Sequence, residues 1–256
     1  MNTRIAIIAA FGLASACALA TDHNNLDSGR PLRFDDAYSI AFRERAIEFV
    51  FSVDTFRRSS PTYGLKAEYK FGFAKNRDIG ISFEPSYSGA ERRFDANNVE
   101  LSYFHGIRRE IENQPAIAYK IDLGLPTGRD SRGVDLRFRG IATKALGQYD
   151  KLHLNLDAIY ASKPGSSERN VVFGAILGYS TPLGYPKQFN QTLVAEFALQ
   201  QSKVRGQGYT GTIGLGMRRQ IGVRSVLDFG IESDVLATKG AQKDSVRLII
   251  GYSIGF

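Results

Sequence analysis

From Ala46 to the C-terminus one pattern repeats: apolar residues at every second position for about ten residues, then a polar or Gly/Pro-bearing break. Leu65, Ala67, Tyr69, Phe71 and Phe73 alternate with Gly64, Lys66, Glu68, Lys70 and Gly72. Ile117, Tyr119, Ile121, Leu123 and Leu125 alternate with Lys120, Asp122 and Gly124, and Leu152, Leu154, Leu156, Ala158 and Tyr160 with His153, Asn155 and Asp157. A two-residue period is that of a strand with one apolar face. Twelve such segments can be counted, and no window of this length keeps a 3.6-residue stripe. A soluble antiparallel sheet alternates as well, so the period alone does not say what lies against the apolar face.

Other features point to lipid. The last strand, Arg247 to Phe256, has apolar Leu248, Ile250, Tyr252, Ile254 and Phe256 in one phase. It resembles the C-terminal strand by which Gram-negative outer-membrane barrels are recognised and inserted, with Tyr252, Ile254 and Phe256 as the signal. The strand count is even, and breaks such as 74–77 and 147–150 are shorter than 88–97, 127–134 and 162–170. Bacterial barrels show the same rhythm of short periplasmic turns and long external loops; the long break 183–190 departs from it. Ten residues at ~3.4 Å each, tilted ~40°, rise ~26 Å, close to the ~25 Å apolar band of such barrels. Tyr63, Tyr87, Tyr160 and Tyr209 fall near one rim, and Phe73, Tyr179, Tyr252 and Phe256 near the other, where amphipathic rings suit a headgroup girdle. The fold expected is all-β: a twelve-stranded antiparallel transmembrane β-barrel of the bacterial outer membrane, formed by residues 46–256.

The N-terminus reads as a cleavable export signal over residues 1–20. Arg4 precedes the apolar run Ile5 to Ala16, and Ala18-Leu19-Ala20 forms an A-x-A site, so Ala18 and Ala20 mark the cleavage. The run is too short to cross a bilayer as a helix. Cys17, the only cysteine, would leave with the signal, although Leu13 to Cys17 also faintly resembles a lipoprotein acceptor site. A mature chain without thiols can form no disulfide and offers no cysteine to a metal. Cleavage removes one arginine and no acid, lowering the formal charge from +7 to +6. Residues 21–45 are polar and precede the first strand, to lie in the periplasm or to plug the lumen.

The polar phase of the strands carries the candidate lumen-lining residues: Lys66, Lys70, Glu84, Glu100, Lys120, Asp122, Arg137, Arg139, His153, Asn155, Asp157, Glu196, Asp228, Glu232 and Arg247. Twelve strands ~4.8 Å apart and tilted ~40° enclose a backbone diameter of ~24 Å, leaving ~10–14 Å between side chains. Such a bore admits a small solute. The ions are either a selective constriction or a network of cross-strand pairs filling a narrow interior. Arg57, Arg58, Arg92, Arg93, Arg129 and Arg132 lie in outer loops, where lipopolysaccharide phosphates would attract them. The opposite rim is basic too, which argues against nucleic-acid binding.

Catalytic chemistry finds little support. His105 falls on the outward phase, three residues after Ser102, so the two project to opposite faces. His153 faces inward with no serine paired to it by a recognisable motif, which suits a polar wall better than a nucleophile's base. The glycines of 211–216 match no phosphate-binding fingerprint, and the carboxylates show no metal-ligand spacing. No enzyme activity, cofactor or metal is expected.

Gly29-Arg30-Pro31-Leu32 with Asp35-Asp36-Ala37-Tyr38 resembles the opening of outer-membrane barrels labelled "MetA-pathway of phenol degradation". Leu123-Gly124-Leu125-Pro126-Thr127-Gly128 and Lys151-Leu152-His153-Leu154-Asn155-Leu156 are similar to that family's central strands. The resemblance implies a barrel that passes small molecules, aromatic or hydrophobic compounds among them. The function expected is a passive channel or transporter for small molecules. The alternatives are a closed structural or interaction barrel and, more remotely, a barrel lipid hydrolase. The partners expected are outer-membrane lipids, lipopolysaccharide, the barrel-assembly machinery and an unidentified solute, with no nucleic acid.

Overall fold

The computed structural model describes residues 26–256 except 28, 57–58, 130, 185–188 and 242–244. Ala18, Ala20, Cys17 and the first residues of the polar N-terminal segment lie outside them, as do Arg57 and Arg58.

Fourteen ladder segments follow one another: β1 Arg45–Phe56, β2 Ser59–Ala74, β3 Arg77–Phe83, β4 Ser86–Ser88, β5 Arg93–Asp95, β6 Val99–Arg108, β7 Ala116–Leu125, β8 Asp135–Leu146, β9 Asp150–Ala161, β10 Val171–Leu183, β11 Gln191–Gln201, β12 Tyr209–Gly222, β13 Ser225–Ala237 and β14 Ser245–Gly255. Every pairing is antiparallel, and β1 closes the sheet by pairing β2 on one side and β14 on the other. β3 and β4 form one stave against β2, interrupted only at Glu84-Pro85; β5 and β6 form the next. The result is a closed twelve-stranded antiparallel barrel.

The interruption has a local cause. Pro85 brings no N–H to the ladder, though its carbonyl accepts the Leu65 amide at 2.9 Å. Asn97, at φ 54°, donates its side-chain amide to Glu84 O at 2.7 Å and Ser86 Oγ at 3.0 Å. Side-chain bonds thus replace the missing rungs, and the wall continues. The break expected at 88–97 therefore contains ordered hairpin: Ser86–Ser88 pairs with Arg93–Asp95.

Register places the apolar phase outward all round. Phe49 pairs with Ala67 and Tyr252, Leu215 with Ala195 and Ile231, and Phe229 with Ile250. These side chains have nothing of their own chain over them: Leu215 is 58% and Leu156 54% exposed. Charged and polar residues, with some apolar ones among them, make up the other phase and are buried inside. An open apolar exterior around a polar interior reverses the soluble arrangement, and a closed barrel in lipid is where that arrangement leaves no backbone group unpaired.

Residues 26–44 do not hang from the barrel; they run inside it. Leu26, Leu32 and Phe34 pack on the inward Ile176, Val194 and Ala198, and Ala37 packs with Phe104, Ala116, Ala118 and Ile141. The segment crosses the bore near the end where β1 begins and β14 ends, and leaves through Ala41–Glu44. There Arg43 N donates to Gly72 O at 2.6 Å and Gly72 N to Glu44 O at 2.9 Å, so the segment runs directly into β1.

Candidate solute pathway and its N-terminal plug

The segment is held by its backbone as much as by its side chains. Alternate amides meet inward side chains along one side of the wall: Arg33 N to Glu196 Oε2 at 2.8 Å on β11, Asp35 N to Asn155 Oδ1 at 2.7 Å on β9, Ala37 N to Thr143 Oγ1 at 3.0 Å on β8. Ile40 N then reaches Asp78 Oδ2 on β3 at 3.2 Å. From Arg33 to Ile40 the strap is thus tied to β11, β9, β8 and β3, while its earlier part closes on itself, with Asp36 N donating to Leu26 O at 2.9 Å and Leu26 N to Asp36 Oδ2 at 3.0 Å, so that these buried amides are paired.

Two ion clusters fasten it. Arg30, almost fully buried, lies 2.6 Å from Glu48, 3.3 Å from Asp228 and 3.2 Å from Asp27, while Lys70 lies 2.9 Å from Asp27 and 3.3 Å from Glu48. Across the bore, Arg139 grips Asp157 through two bonds of 2.7 Å, donates to Arg33 O at 2.8 Å and pairs with Asp35. Asn155 Nδ2 donates to Asp35 O at 2.9 Å, and Lys120 stands 3.7 Å from both Asp35 and Asp122. Arg33 reaches Glu232 at 2.7 Å. Losing one member of such a buried pair costs ~3–5 kcal/mol, because the other is left charged without a partner.

Of the candidate lumen residues, Lys70, Lys120, Arg139, Asn155, Asp157, Glu196, Asp228 and Glu232 thus belong to the contact between strap and wall. Glu84, Glu100 and Arg137 sit further toward the loop end, where they line two cavities at once. The outer one, about 840 Å³, opens among the loops, and Asp122 reaches its floor. The inner one, about 360 Å³, rests on Gly29 and Arg33 of the strap. Lys66 and Arg247 line the inner cavity and are held by Glu68 at 2.9 Å and Asp54 at 2.6 Å. Ile159 and Gln200 share the junction with Glu84, Glu100 and Arg137. Among the described residues Arg137 keeps only a 3.7 Å ion contact to Asp122, and its Nε has no hydrogen-bond partner.

A wall of Val50, Ile159, Ile176, Ala198 and Ile249 faces the charged groups of the inner cavity. On the far side of the strap a third cavity, about 340 Å³, opens at the terminal mouth between residues 37–42 and the Lys75-Asn76 and Arg108-Arg109 turns. At the same rim Glu110 receives Lys144 Nζ at 2.6 Å. Slight burial pushes its carboxyl up, but Lys144 and the Ala145 amide outweigh that and hold it below the ordinary range.

His153 is fully buried, with Ser180 Oγ 3.0 Å from Nε2 and Thr143 Oγ1 3.1 Å from Nδ1. The sequence shows no serine beside it because Ser180 is 27 residues away and is brought to it across strands. The Phe34 ring covers it at 4.9 Å. Neither ring nitrogen meets a carboxylate in these contacts, and both are occupied by hydroxyls, the geometry of a satisfied wall residue. His105 projects outward, 3.3 Å from Tyr119 Oη.

What sequence reading missed is the set of inward glycines that make room for the strap. A Cβ on Gly178 would meet the Phe34 ring at 2.7 Å, and one on Gly214 would meet Leu32 at 2.8 Å. Gly216 and Gly230 underlie Pro31, and Gly251 underlies Arg30. The signal was present: glycine recurs in the inward phase of β10, β12, β13 and β14.

No protein-family pattern and no curated protein matches the sequence. Solved structures do. An outer-membrane channel of Pseudomonas putida F1 superposes with a TM-score of 0.69 at 15% identity, covering 90% of this chain and 100% of that one. The NanC porin gives 0.61 at 8% identity over 81% and 98% of the two chains. This chain has the fold of an outer-membrane β-barrel. The KdgM porin, solved in complex with disordered oligogalacturonate, gives 0.56 at 11% identity over 82% and 99%.

Proposed function

We propose that this chain is an outer-membrane channel for small molecules, with the terminal end toward the periplasm and the strap as the obstacle a solute must pass. The observation that carries this reading is the alignment of cavities along one polar bore, two on the loop side of the strap and one on the other. A barrel serving only as a scaffold would have no use for such open volume. The likeness to channels and porins supports the same reading. The inner cavity's apolar wall facing Arg137 and Glu100 suits small compounds with an apolar or aromatic part beside a polar one. Residues 1–20 would direct export, and Tyr252, Ile254 and Phe256 would be read by the barrel-assembly machinery.

Planar-bilayer recording of the refolded protein tests the proposal. Brief, small openings are expected, and Arg137→Ala should shift the reversal potential in a salt gradient toward cations, because it removes the least neutralised cation at the junction and leaves Glu84 and Glu100. A reversal potential unmoved by Arg137→Ala would mean that ions do not pass the junction. Silence across salts and voltages would favour the closed-barrel reading, for which the density of ion pairs on the strap speaks.

The lipid-facing assignment has its own test. Leu215→Arg places a charge midway along the outward face, which costs ~2–4 kcal/mol at the bilayer midplane. Urea titration of folding into bilayers should show that loss, whereas a barrel buried against another protein wall would give no such dependence on lipid.

A further inference from the structure

We propose that the cavity at the terminal mouth is a binding site for an organic anion, a carboxylate carried on a small apolar body. Its 340 Å³ lies within the ~300–1,000 Å³ of ligand pockets. Three cations line it: Lys75, Arg108 and Arg109. The two arginines are held by neutral acceptors. Arg108 donates to Gln114 Oε1 at 2.7 Å and Pro115 O at 3.2 Å, and Arg109 to Asn76 Oδ1 at 3.3 Å. These bonds fix each guanidinium in place without cancelling its charge.

The contrast with the rest of the molecule is what gives this weight. Arg30, Arg33, Arg139 and Arg247 in the bore each meet a carboxylate, and at the same rim Lys144 is neutralised by Glu110 at 2.6 Å. Among the described residues no ion pair joins Lys75, Arg108 or Arg109 to an acid. Glu44 and Asp78, which could have supplied one, turn instead to the amides of Ala41 and Ile40 at 2.8 and 3.2 Å. Three exposed cations with no acid partner, gathered at the rim of one cavity, set up a positive potential there that favours an anion.

The apolar part of the ligand is specified by the strap, which contributes Tyr38, Ile40 and the half-exposed Phe42 to the same cavity. A carboxylate could lie among the cations while a ring rests on Phe42 and Tyr38. Placing this ligand on a transport route rests on the channel reading above. Binding itself does not, since the cavity opens directly at the terminal face and can fill without passage through the bore.

Isothermal titration of the detergent-folded protein with benzoate, benzyl alcohol and benzylamine tests the site. Benzoate should bind ~10-fold or more tighter than the neutral alcohol, and benzylamine should not bind. Lys75→Ala with Arg109→Ala should weaken benzoate ~10-fold or more, in keeping with loss of charge-assisted contacts. Arg109→Lys should restore part of the loss, and Lys144→Ala, at a cation already paired, should change nothing. Heat-modifiable gel mobility confirms that each variant is folded. Equal affinity for benzoate and benzyl alcohol, or full affinity in the double variant, would overturn the proposal. So would loss of benzoate binding in phosphatidylglycerol nanodiscs but not phosphatidylcholine ones, since the pocket would then hold a lipid headgroup. A silent bilayer recording with intact benzoate binding would defeat the channel reading alone.

Discussion

Removal of residues 26–40, leaving residues 1–25 joined to Ala41, should raise single-channel conductance by about tenfold or more. The strap crosses the bore and occupies it with Leu26, Leu32, Phe34 and Ala37, whereas the wall without it would enclose ~10–14 Å of free width. The barrel should still fold, because closure rests on the ladder between β1 and β14, from Ala46↔Gly255 to Phe56↔Ser245, and on the β1–β2 ladder. The carboxylates stripped of their strap partners, Glu48, Glu196 and Glu232 among them, would face water in the widened bore instead of staying buried and unpaired. That limits the penalty to well below the ~3–5 kcal/mol of a pair broken in a dry interior. Conductance in planar bilayers checks the outcome. A trimmed barrel that folds and stays silent would show that the bore is blocked elsewhere and that the strap is not the obstacle.

The sequence made the wall legible and left the strap nearly invisible, for the same physical reason. A strand in a barrel repeats its two environments every two residues, so Leu152, Leu154 and Leu156 against His153, Asn155 and Asp157 announce both faces at once. The strap has no such period. Its residues are polar and apolar in an order dictated by whichever wall residue each happens to meet: Phe34 under the Gly178 gap, Asp35 opposite Arg139, Ala37 beside Phe104. Nothing local encodes those meetings, which join residues far apart in the chain. Charge marks the polar phase as lining, yet charge does not say which ions remain open to the bore. Arg137 and Arg139 look alike on β8, two residues apart; one ends at the junction of two cavities and the other is locked between Asp35 and Asp157. The glycines held the missing information. Residues 178, 214, 216, 230 and 251 sit in the phase where a polar side chain is usual, and an inward glycine in a strand marks a close approach by another backbone.

Those glycines supply the sharper test, since a single atom group can evict the strap with the chain length unchanged. Gly230→Val should open the channel. A Cβ at this position would lie 2.2 Å from Pro31 O, a backbone atom that cannot swing aside like a side chain, and 3.4 Å from Pro31 Cβ. Two further methyls deepen the clash, and overpacking of this kind costs ~1–3 kcal/mol or more. The wall itself should not suffer, because valine is favoured over glycine in strands. The strain therefore falls on the seated strap and shifts its equilibrium toward release by about tenfold or more, seen as longer or more frequent openings. Gly140→Val is the matched control. Gly140 lies outward on β8, between Tyr119 and Leu156, and a Cβ there meets nothing within 4 Å. If both substitutions left conductance unchanged, the strap would be sealed by more than its fit at Pro31. If both raised it equally, the effect would come from the wall and not from eviction. Opening by Gly230→Val alone would show that the fit between one inward glycine and one proline helps decide whether the bore is shut.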